Sequence, residues 1–305
     1  MSETVGKDIF GRIQEKKRRL DSIRLLPRDV VKKLQEELRL LHTYHSNAIE
    51  GNTLTLRETK LIIEEGITIG GKSLKEHLEA TNTADAYDHI EKLIRGKKSI
   101  THESVQEVHA IVTKGILSDV GKYRTTNVRI TGAIKTPPSH MKVPKLMGEL
   151  LEDIRRSKHD PITTAALLHH GIVATHPFVD GNGRVARLLT DLHLMEHGYP
   201  PIVLRKEDRE KYYEMLRKAD QDDPKPFINF VAKAVDESLS LYLSVLGGDD
   251  ELLPLRELAK ESPYTQEYLS LLARRGVLGA VKIDGVWHAS RRELKRYMSK
   301  KRVTG

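Results

Sequence analysis

Apolar residues recur at helical spacing along almost the whole of this 305-residue chain. Within residues 28–46, for example, Val31, Leu34 and Leu38 lie three or four positions apart and so share one helix face. The chain is therefore predicted to be mainly α-helical, and it is long enough for two or three packed units. The same spacing recurs in residues 57–65, 74–95, 103–117, 144–156, 161–174, 184–197, 207–219 and 226–246.

Residues 121–138 depart from the helical pattern. The segment contains Tyr123, Val128 and Ile130 with threonines near them in sequence. Gly132 follows these residues, and two prolines end the segment. This composition predicts a short β-hairpin. A hairpin alone among helices usually projects from them.

The C-terminal part reads as a separate domain. Gly247 and Gly248 end a long helix, and residues 252–299 then read as two helices, a hairpin turning at Asp284-Gly285, and a last helix from position 291. That order is typical of a helix-turn-helix followed by a wing. We predict three domains, which are an N-terminal helical region 1–98, a core 99–247 and a winged helix-turn-helix domain 248–305.

Composition excludes several classes of protein. The chain has no cysteine, which rules out a disulfide framework, a thiolate nucleophile and a Cys-ligated metal site. No apolar run is long enough for a membrane span and the first residues lack a signal-peptide core, so we expect a cytoplasmic protein. The formal charge is +8, and it is unevenly distributed. Residues 251–305 carry 12 basic and 6 acidic groups, whereas residues 41–250 carry 28 basic and 30 acidic groups. A polyanion partner is therefore expected only at the C-terminal end.

The segment 176–187, HPFVDGNGRVAR, joins one apolar helix to the next. Gly-Asn-Gly directly before a helix offers permissive backbone and unpaired N–H groups at the positive end of the helix dipole, a nest that suits phosphate. Arg184 and Arg187 lie on the first turn and point to nearly the same side, where they can clamp further phosphoryl oxygens. Asp180 is suited to hold Mg²⁺, and His176 can accept a proton near neutral pH.

A base, a metal ligand, an anion nest and two arginines are the parts that transfer from a nucleoside triphosphate requires. The alternative is a tight helix–loop–helix turn with a capping histidine and surface arginines. Each position of the loop has a role in handling phosphate, so we favour the catalytic interpretation.

The segment resembles the motif of the Fic (filamentation induced by cAMP) family, HPF-x-D/E-GNGR-xx-R, with every defined position filled. The resemblance extends over roughly residues 100–235 and includes 121–138, which is similar to the family's target-docking flap. It implies a Fic-fold helical bundle with a β-hairpin flap. It also implies transfer of AMP from ATP to a Ser, Thr or Tyr hydroxyl of a target protein or of the chain itself.

The resemblance assigns roles to the motif residues. His176 would deprotonate the incoming hydroxyl, Asp180 would hold Mg²⁺, and Phe178 would anchor the loop. The remaining positions would bind the nucleotide phosphates: Asn182 with the amides of Gly181 and Gly183 at the α-phosphate, and Arg184 and Arg187 at the distal phosphates. Phosphotransferring Doc-type relatives have lysine in place of Gly183, so glycine there favours nucleotidyl transfer.

Other positions match the family's nucleotide pocket less closely. Tyr212 resembles an adenine-contacting tyrosine, with helix packing as the alternative. Asp220 stands where many members have asparagine at a ribose or base contact. The flap tip would clamp the target backbone by strand addition and pass near the nucleotide, and it consists of Ile130, Thr131, Gly132 and Ala133.

Residues 46–52, SNAIEGN, resemble the family's inhibitory motif. Ser46 and Glu50 are four apart and share a helix face, and Gly51 is a plausible helix terminator. By the resemblance, Glu50 pairs with Arg187 and displaces the γ-phosphate from its productive position. The alternatives are an ordinary exposed glutamate near a helix end, or a glutamate that positions water for removal of AMP.

His193, Glu196 and His197 spell H-x-x-E-H, the inverted zincin pattern. The segment lies in the last turn before Gly198, where the helix dipole favours histidine, and the sequence offers no obvious third ligand. We therefore do not expect a metalloprotease.

Residues 252–299 resemble the winged helix-turn-helix of excisionase-like DNA-binding domains. Glu267, Tyr268 and Ser270 on the recognition helix offer little base readout, so dimerisation or protein docking is an equal alternative. The competing function is a DNA-binding regulator in which the Fic core has a secondary or AMP-removing role. Expected partners are thus a target protein on the flap, DNA or a protein on 251–305, and a second copy of the chain. The basic residues that would contact phosphates are Arg274, Arg275, Arg291, Arg292, Lys295 and Arg296.

Overall fold

A computed structural model describes residues 5–23, 28–97, 99–129 and 135–304 of the chain. These residues are mainly helical, which confirms the prediction from periodicity. No helix in this part of the chain is both long and apolar enough to cross a membrane. The helices up to residue 244 are α1 (Lys7–Ser22), α2 (Arg28–Ile49), α3 (Leu56–Glu65), α4 (Leu74–Arg95), α5 (His102–Val112), α6 (Val143–Arg155), α7 (Pro161–Thr175), α8 (Asn182–Glu196), α9 (Arg209–Asp220) and α10 (Lys225–Ser244).

Local capping fixes where several helices begin. The hydroxyl of Thr55 accepts from the Glu58 amide while the Glu58 carboxylate accepts from the Thr55 amide, so both ends of this capping box are satisfied at the start of α3. Ser73 and Glu76 form the same arrangement at α4. The Asp160 side chain accepts hydrogen bonds from the backbone N–H groups of Ile162 and Thr163 in the first turn of α7, a helix whose first residue is a proline.

Residues 36–231 form one compact unit around the pair of helices α7 and α8. Between Asn182 and Leu194 almost every residue of α8 is buried, so this helix runs through the middle of the unit. Leu168 and Ile172 of α7 pack into the same core. The loop from α7 to α8, which carries the 176–187 motif, is thereby set on rigid supports.

A second compact unit combines residues 5–35 with residues 232–305, within the described ranges. Its C-terminal elements are β1 (Leu252–Pro254), α11 (Leu255–Lys260), α12 (Gln266–Arg274), β2 (Ala280–Ile283), β3 (Val286–Ser290) and α13 (Arg291–Thr304). The strands pair antiparallel in the order β1-β3-β2. Asp284 and Gly285 both have positive φ, 48° and 81°, which is the two-residue hairpin turn that the sequence predicts.

Two details differ from the sequence analysis. The helix expected at 252–261 begins only at Leu255, because proline disfavours helical backbone at the residue before it and Leu253 is extended as part of β1. The hairpin expected at 121–138 is not built from paired strands in its described parts, 121–129 and 135–138. There the Arg124 side chain links the two parts through its hydrogen bond to Pro138 O, in place of a strand ladder.

The second unit holds a buried group of charges. Asp236 of α10 accepts from Arg12 Nε at 2.9 Å and from Lys16 Nζ at 2.8 Å, and Lys16 also lies 3.2 Å from Glu293. The two cations hold the pKa of Asp236 below its ordinary value against the cost of burial, which acts in the opposite direction. This group ties α1 to α10 and α13 within the unit.

Candidate active site

The motif begins where α7 ends. His176 has φ 48° and ψ 60°, a left-handed conformation that is uncommon for a residue with a side chain, and its N–H donates to Ile172 O at 2.9 Å. Burial lowers the pKa of the His176 imidazole below its ordinary value. The side chain is therefore neutral near pH 7 and able to accept a proton.

Arg124 holds this loop from the side of the 121–138 segment. Its Nε donates to His176 O at 2.8 Å, and its backbone N–H donates to Pro177 O at 2.9 Å. The rest of the guanidinium donates to Thr126 O at 2.9 Å and Pro138 O at 2.5 Å. One buried side chain thus joins both described parts of the segment to the loop, a role that no sequence pattern indicated.

His109 of α5 supports the loop from another side. Its ring stacks on Phe178, with centroids 3.7 Å apart and planes 2° from parallel. Nδ1 accepts from the Gly121 N–H at 2.9 Å, so the ring proton is on Nε2, which donates to Asp180 O at 3.1 Å. Burial lowers the pKa of His109 to about 4, which keeps this tautomer neutral. Sequence reasoning missed His109 as well.

The amide side chain of Asn182 is used inside the loop. Its Oδ1 accepts from the Phe178 N–H and its Nδ2 donates to Phe178 O, both at 2.9 Å. The resemblance implied a contact from Asn182 to the α-phosphate, yet in this arrangement the side chain braces the turn. The backbone N–H of Asn182 remains at the start of α8.

Asp180 faces outward beside this turn. Its side chain is 45% exposed, Oδ1 accepts from the Gly181 N–H at 2.6 Å, and Lys75 Nζ lies 3.9 Å from Oδ2. Carboxylate oxygen is the donor that Mg²⁺ prefers, and this carboxylate is open to solvent. Asp180 therefore fits the metal-binding position that the sequence predicts.

The first turn of α8 presents backbone N–H groups that suit an anion. Gly181 precedes the helix with φ 83° and, as a glycine, offers no capping side chain. A Cβ atom at position 183 would clash with Glu50 Oε1 and would lie 3.2 Å from Arg187 Nη1. A carboxylate thus lies directly against this turn, and any side chain at 183 would have to displace it.

Glu50 reaches this position from the end of α2. Gly51 has φ 100° and ends the helix, as predicted. Arg187 Nη2 donates to Glu50 Oε1 at 2.6 Å and to Ser46 O at 2.9 Å, and its Nε donates to Ser46 Oγ at 2.8 Å. The structure therefore brings together Ser46, Glu50 and Arg187, three residues that the sequence singled out in two separate motifs.

Arg184 is engaged by a different acid. Its Nη1 lies 3.3 Å from Glu79 Oε1 and its Nη2 lies 3.6 Å from Asp180 Oδ1, and the side chain is almost fully buried. Glu79 of α4 also accepts from Asn52 Nδ2 at 3.0 Å. The sequence did not indicate Glu79, although it both balances Arg184 and holds the chain just after Glu50.

Tyr212 lies in the interior of the first unit. Thr190 Oγ1 donates to Ala186 O at 2.7 Å, so it accepts from His169 Nδ1 at 2.9 Å, and His169 Nε2 in turn accepts from the Tyr212 hydroxyl at 2.8 Å. This buried chain of hydrogen bonds favours the packing interpretation of Tyr212. Its ring nevertheless lies 6.0 Å from the guanidinium carbon of Arg187.

The two other predictions for the nucleotide pocket have different outcomes. Asp220 pairs with His170 Nε2 at 2.9 Å on the side of α7. The flap-tip positions Ile130, Thr131, Gly132 and Ala133 lie outside the described residues.

Four basic side chains near the start of α13 are paired with acids inside the second unit. Their nearest carboxylate contacts range from 2.7 to 3.1 Å. Because these charges are already balanced, they attract a polyanion less than the sequence count suggests. Arg274 and Arg275 are exposed. The pairs are Arg291 with Glu261, Arg292 with Asp250, Lys295 with Asp249, and Arg296 with Glu15.

Comparison with known proteins identifies relatives. Residues 99–194 match the model of the Fic/DOC family. The chain is 38% identical over 248 residues to the protein adenylyltransferase Fic of Nematostella vectensis, an alignment that covers 79% of this chain and 57% of that protein. The chain spans about half the length of the curated relatives it matches.

Solved structures show the same fold. Fic-1 from C. elegans superimposes with a TM-score of 0.69 at 31% identity, covering 78% of this chain and 71% of that one. A Fic domain containing signaling protein from Bacteroides thetaiotaomicron superimposes with a TM-score of 0.72 at 28% identity, covering 80% and 99%.

Proposed function

This chain belongs to the Fic/DOC family, and from that premise we propose that it transfers AMP from ATP to a Ser, Thr or Tyr hydroxyl of a target protein or of itself. The observation that carries the proposal is the glycine-capped first turn of α8 with the buried guanidinium of Arg187 beside it. Curated relatives at 34–38% identity carry the name protein adenylyltransferase, which supports the same reaction.

His176 is the proposed general base. Its neutral imidazole accepts the proton of the incoming hydroxyl as that oxygen attacks the α-phosphorus of ATP. A new phosphorus–oxygen bond forms to the target, the bond to the β-phosphate oxygen breaks, and pyrophosphate leaves. Arg124 and His109 act as positioning residues, because their hydrogen bonds fix the loop that carries the imidazole.

The proposed phosphate site is the nest at the start of α8. Backbone N–H groups at a helix N-terminus stabilise negative charge as it shifts toward the leaving pyrophosphate, and Arg184 and Arg187 add two buried cations. Asp180 is the residue that would hold Mg²⁺. The ion, when bound, would neutralise phosphate charge.

Glu50 is proposed as an internal inhibitor. Its carboxylate contacts Arg187 and lies against Gly183, so it occupies the place that the distal phosphates of ATP need. Carboxylate and phosphate compete for the same guanidinium, and a carboxylate of the chain itself is present at high local concentration. The protein would therefore rest in a state of low transfer activity.

The reaction class is tested by intact mass spectrometry of the Glu50→Gly protein incubated with Mg²⁺ and each nucleoside triphosphate in turn. We expect one or more adducts with the mass of an adenylyl group when ATP is present. Glu50→Gly protein that also carries Asp180→Asn is the control, and it should gain little or none. An adduct with the mass of phosphate alone would contradict nucleotidyl transfer.

The pH dependence follows from the environment of His176. Burial lowers its pKa below the ordinary 6.5, and the nearby Glu50 carboxylate partly opposes this, so the pKa falls further when Glu50 is replaced by glycine. Since the neutral form is the base, activity persists as the pH falls and is lost only below this lowered pKa. Initial rates of Glu50→Gly auto-modification should fall on the acid side with a midpoint below pH 6.5. A midpoint above pH 6.5 would show that the loss of activity at acid pH reports the titration of a group other than His176.

A further inference from the structure

The last turn of α8 carries a group of three potential metal ligands. His193, Glu196 and His197 each offer one ligand atom, and these atoms lie within 4.8 Å of one another. The spacing of i, i+3 and i+4 brings all three side chains to one helix face. Glu196, the glutamate of the H-x-x-E-H pattern, is therefore a candidate ligand beside the two imidazoles.

His193 supplies an independent sign of a missing ligand. Its side chain is 5% exposed, and its Nε2 has no hydrogen-bond partner among the described residues. A buried polar atom without a partner is energetically costly, so such atoms are rare unless a water or an ion completes them. His193 lines a cavity of about 270 Å³, as do Glu196, His197 and His159.

His197 is oriented as a metal ligand would be. Its Nδ1 donates to His193 O at 2.8 Å, which leaves the lone pair on Nε2. A backbone carbonyl that accepts from the other ring nitrogen is the usual outer partner of a ligating histidine. Glu196 and His197 are both exposed, so an ion can reach the group from solvent.

We propose that His193, Glu196 and His197 bind a divalent transition metal of the zinc type, with a water in the cavity completing a four-coordinate site. Two neutral imidazoles and one carboxylate suit Zn²⁺, whereas Mg²⁺ and Ca²⁺ prefer oxygen ligands alone. A four-coordinate zinc holds its ligand atoms about 3.5 Å apart, so ligand atoms that lie within 4.8 Å of one another must move closer together to meet one ion. Arg155 also lines this cavity, and its guanidinium forms a salt bridge with Glu152.

This site is separate from the proposed active site. Asp180 precedes α8, and the metal group lies at the far end of that 15-residue helix, which is about 22 Å long. The bound ion would fasten the last turn of α8, and its binding does not depend on nucleotide or on AMP transfer. The inference therefore goes beyond the proposed function.

The test is a zinc titration of the tag-free full chain by isothermal calorimetry. We expect one tightly bound equivalent, and we expect His197→Ala to weaken it by more than the roughly 10–100-fold that loss of an outer partner costs. His197 is exposed, so this variant should fold normally, and a matched circular dichroism melt checks that it does. His89→Ala removes a histidine outside the site and should bind zinc like the unmodified chain.

Two further measurements decide the assignment. Asp180→Asn should keep the zinc equivalent, and Co²⁺ in its place should give the intense visible absorption of a four-coordinate ion. The proposal is overturned if no saturable equivalent binds, if His197→Ala binds as tightly as the unmodified chain, or if Asp180→Asn abolishes binding.

Discussion

Replacing His176 by alanine is expected to lower the rate of AMP transfer by about 10²–10⁴-fold, which is the usual contribution of a general base. Without the imidazole, the target hydroxyl must lose its proton to water as it attacks. ATP affinity should change little, because the nest and the arginines are untouched. The measurement is the rate of labelled AMP incorporation by His176→Ala in the Glu50→Gly background, with ATP binding measured separately.

The left-handed backbone at position 176 provides a sharper control. Asparagine adopts this conformation more readily than other residues with side chains, so His176→Asn removes the base with less strain than alanine introduces. If the base assignment is correct, both variants lose activity to a similar extent. A His176→Asn protein that works far better than His176→Ala would show that the loss came from the backbone. His89→Ala serves as the histidine control and should keep full activity.

Replacing Glu50 by glycine is expected to raise auto-modification by about 10–100-fold. The carboxylate makes a charged hydrogen bond to Arg187, an interaction that contributes roughly 1.5–3 kcal/mol, and its removal frees the guanidinium for the distal phosphates of ATP. The measurement compares initial rates of AMP incorporation in Glu50→Gly and the unmodified chain at the same ATP and Mg²⁺ concentrations.

Two milder variants should raise auto-modification by smaller amounts. Glu50→Gln keeps the shape but loses the charge, so it should release the enzyme only in part. Ser46→Ala removes one acceptor of Arg187 while the Ser46 carbonyl and the carboxylate of Glu50 remain, so its effect should be smaller still. Equal or lower labelling in Glu50→Gly than in the unmodified chain would contradict the inhibitory assignment.

Much of the helical framework could be predicted because its signals are local. Apolar spacing marks the buried faces, and capping residues such as Thr55 and Ser73 lie within one turn of the helices they begin. The extent of strand β1 depends on its pairing with β3, some 36 residues away, although Pro254 is a local signal that disfavours helical backbone at Leu253. The 121–138 segment has strand composition, yet its described parts, 121–129 and 135–138, are joined by the Arg124 side chain and not by paired strands.

The same distinction applies to the site. The Gly-Asn-Gly turn and the spacing of Ser46 and Glu50 are local patterns, so the sequence indicated them. Arg124 and His109 act across separations of 52 and 71 residues, and Glu79 meets Arg184 from another helix. A single arginine, histidine or glutamate on an ordinary helix or loop carries no pattern that predicts such a distant partner.

The buried charges of the second unit have a consequence for how the chain is made. Arg12 is synthesised 224 residues before Asp236, which is roughly 10–45 s at the usual speed of translation. Throughout that interval Arg12 and Lys16 of α1 lack the Asp236 and Glu293 carboxylates that they contact in the folded chain, while residues 36–231 of the first unit are synthesised. The charged face of α1 therefore waits for the last quarter of the chain, and the first unit is complete in sequence before the second unit can form these ion pairs.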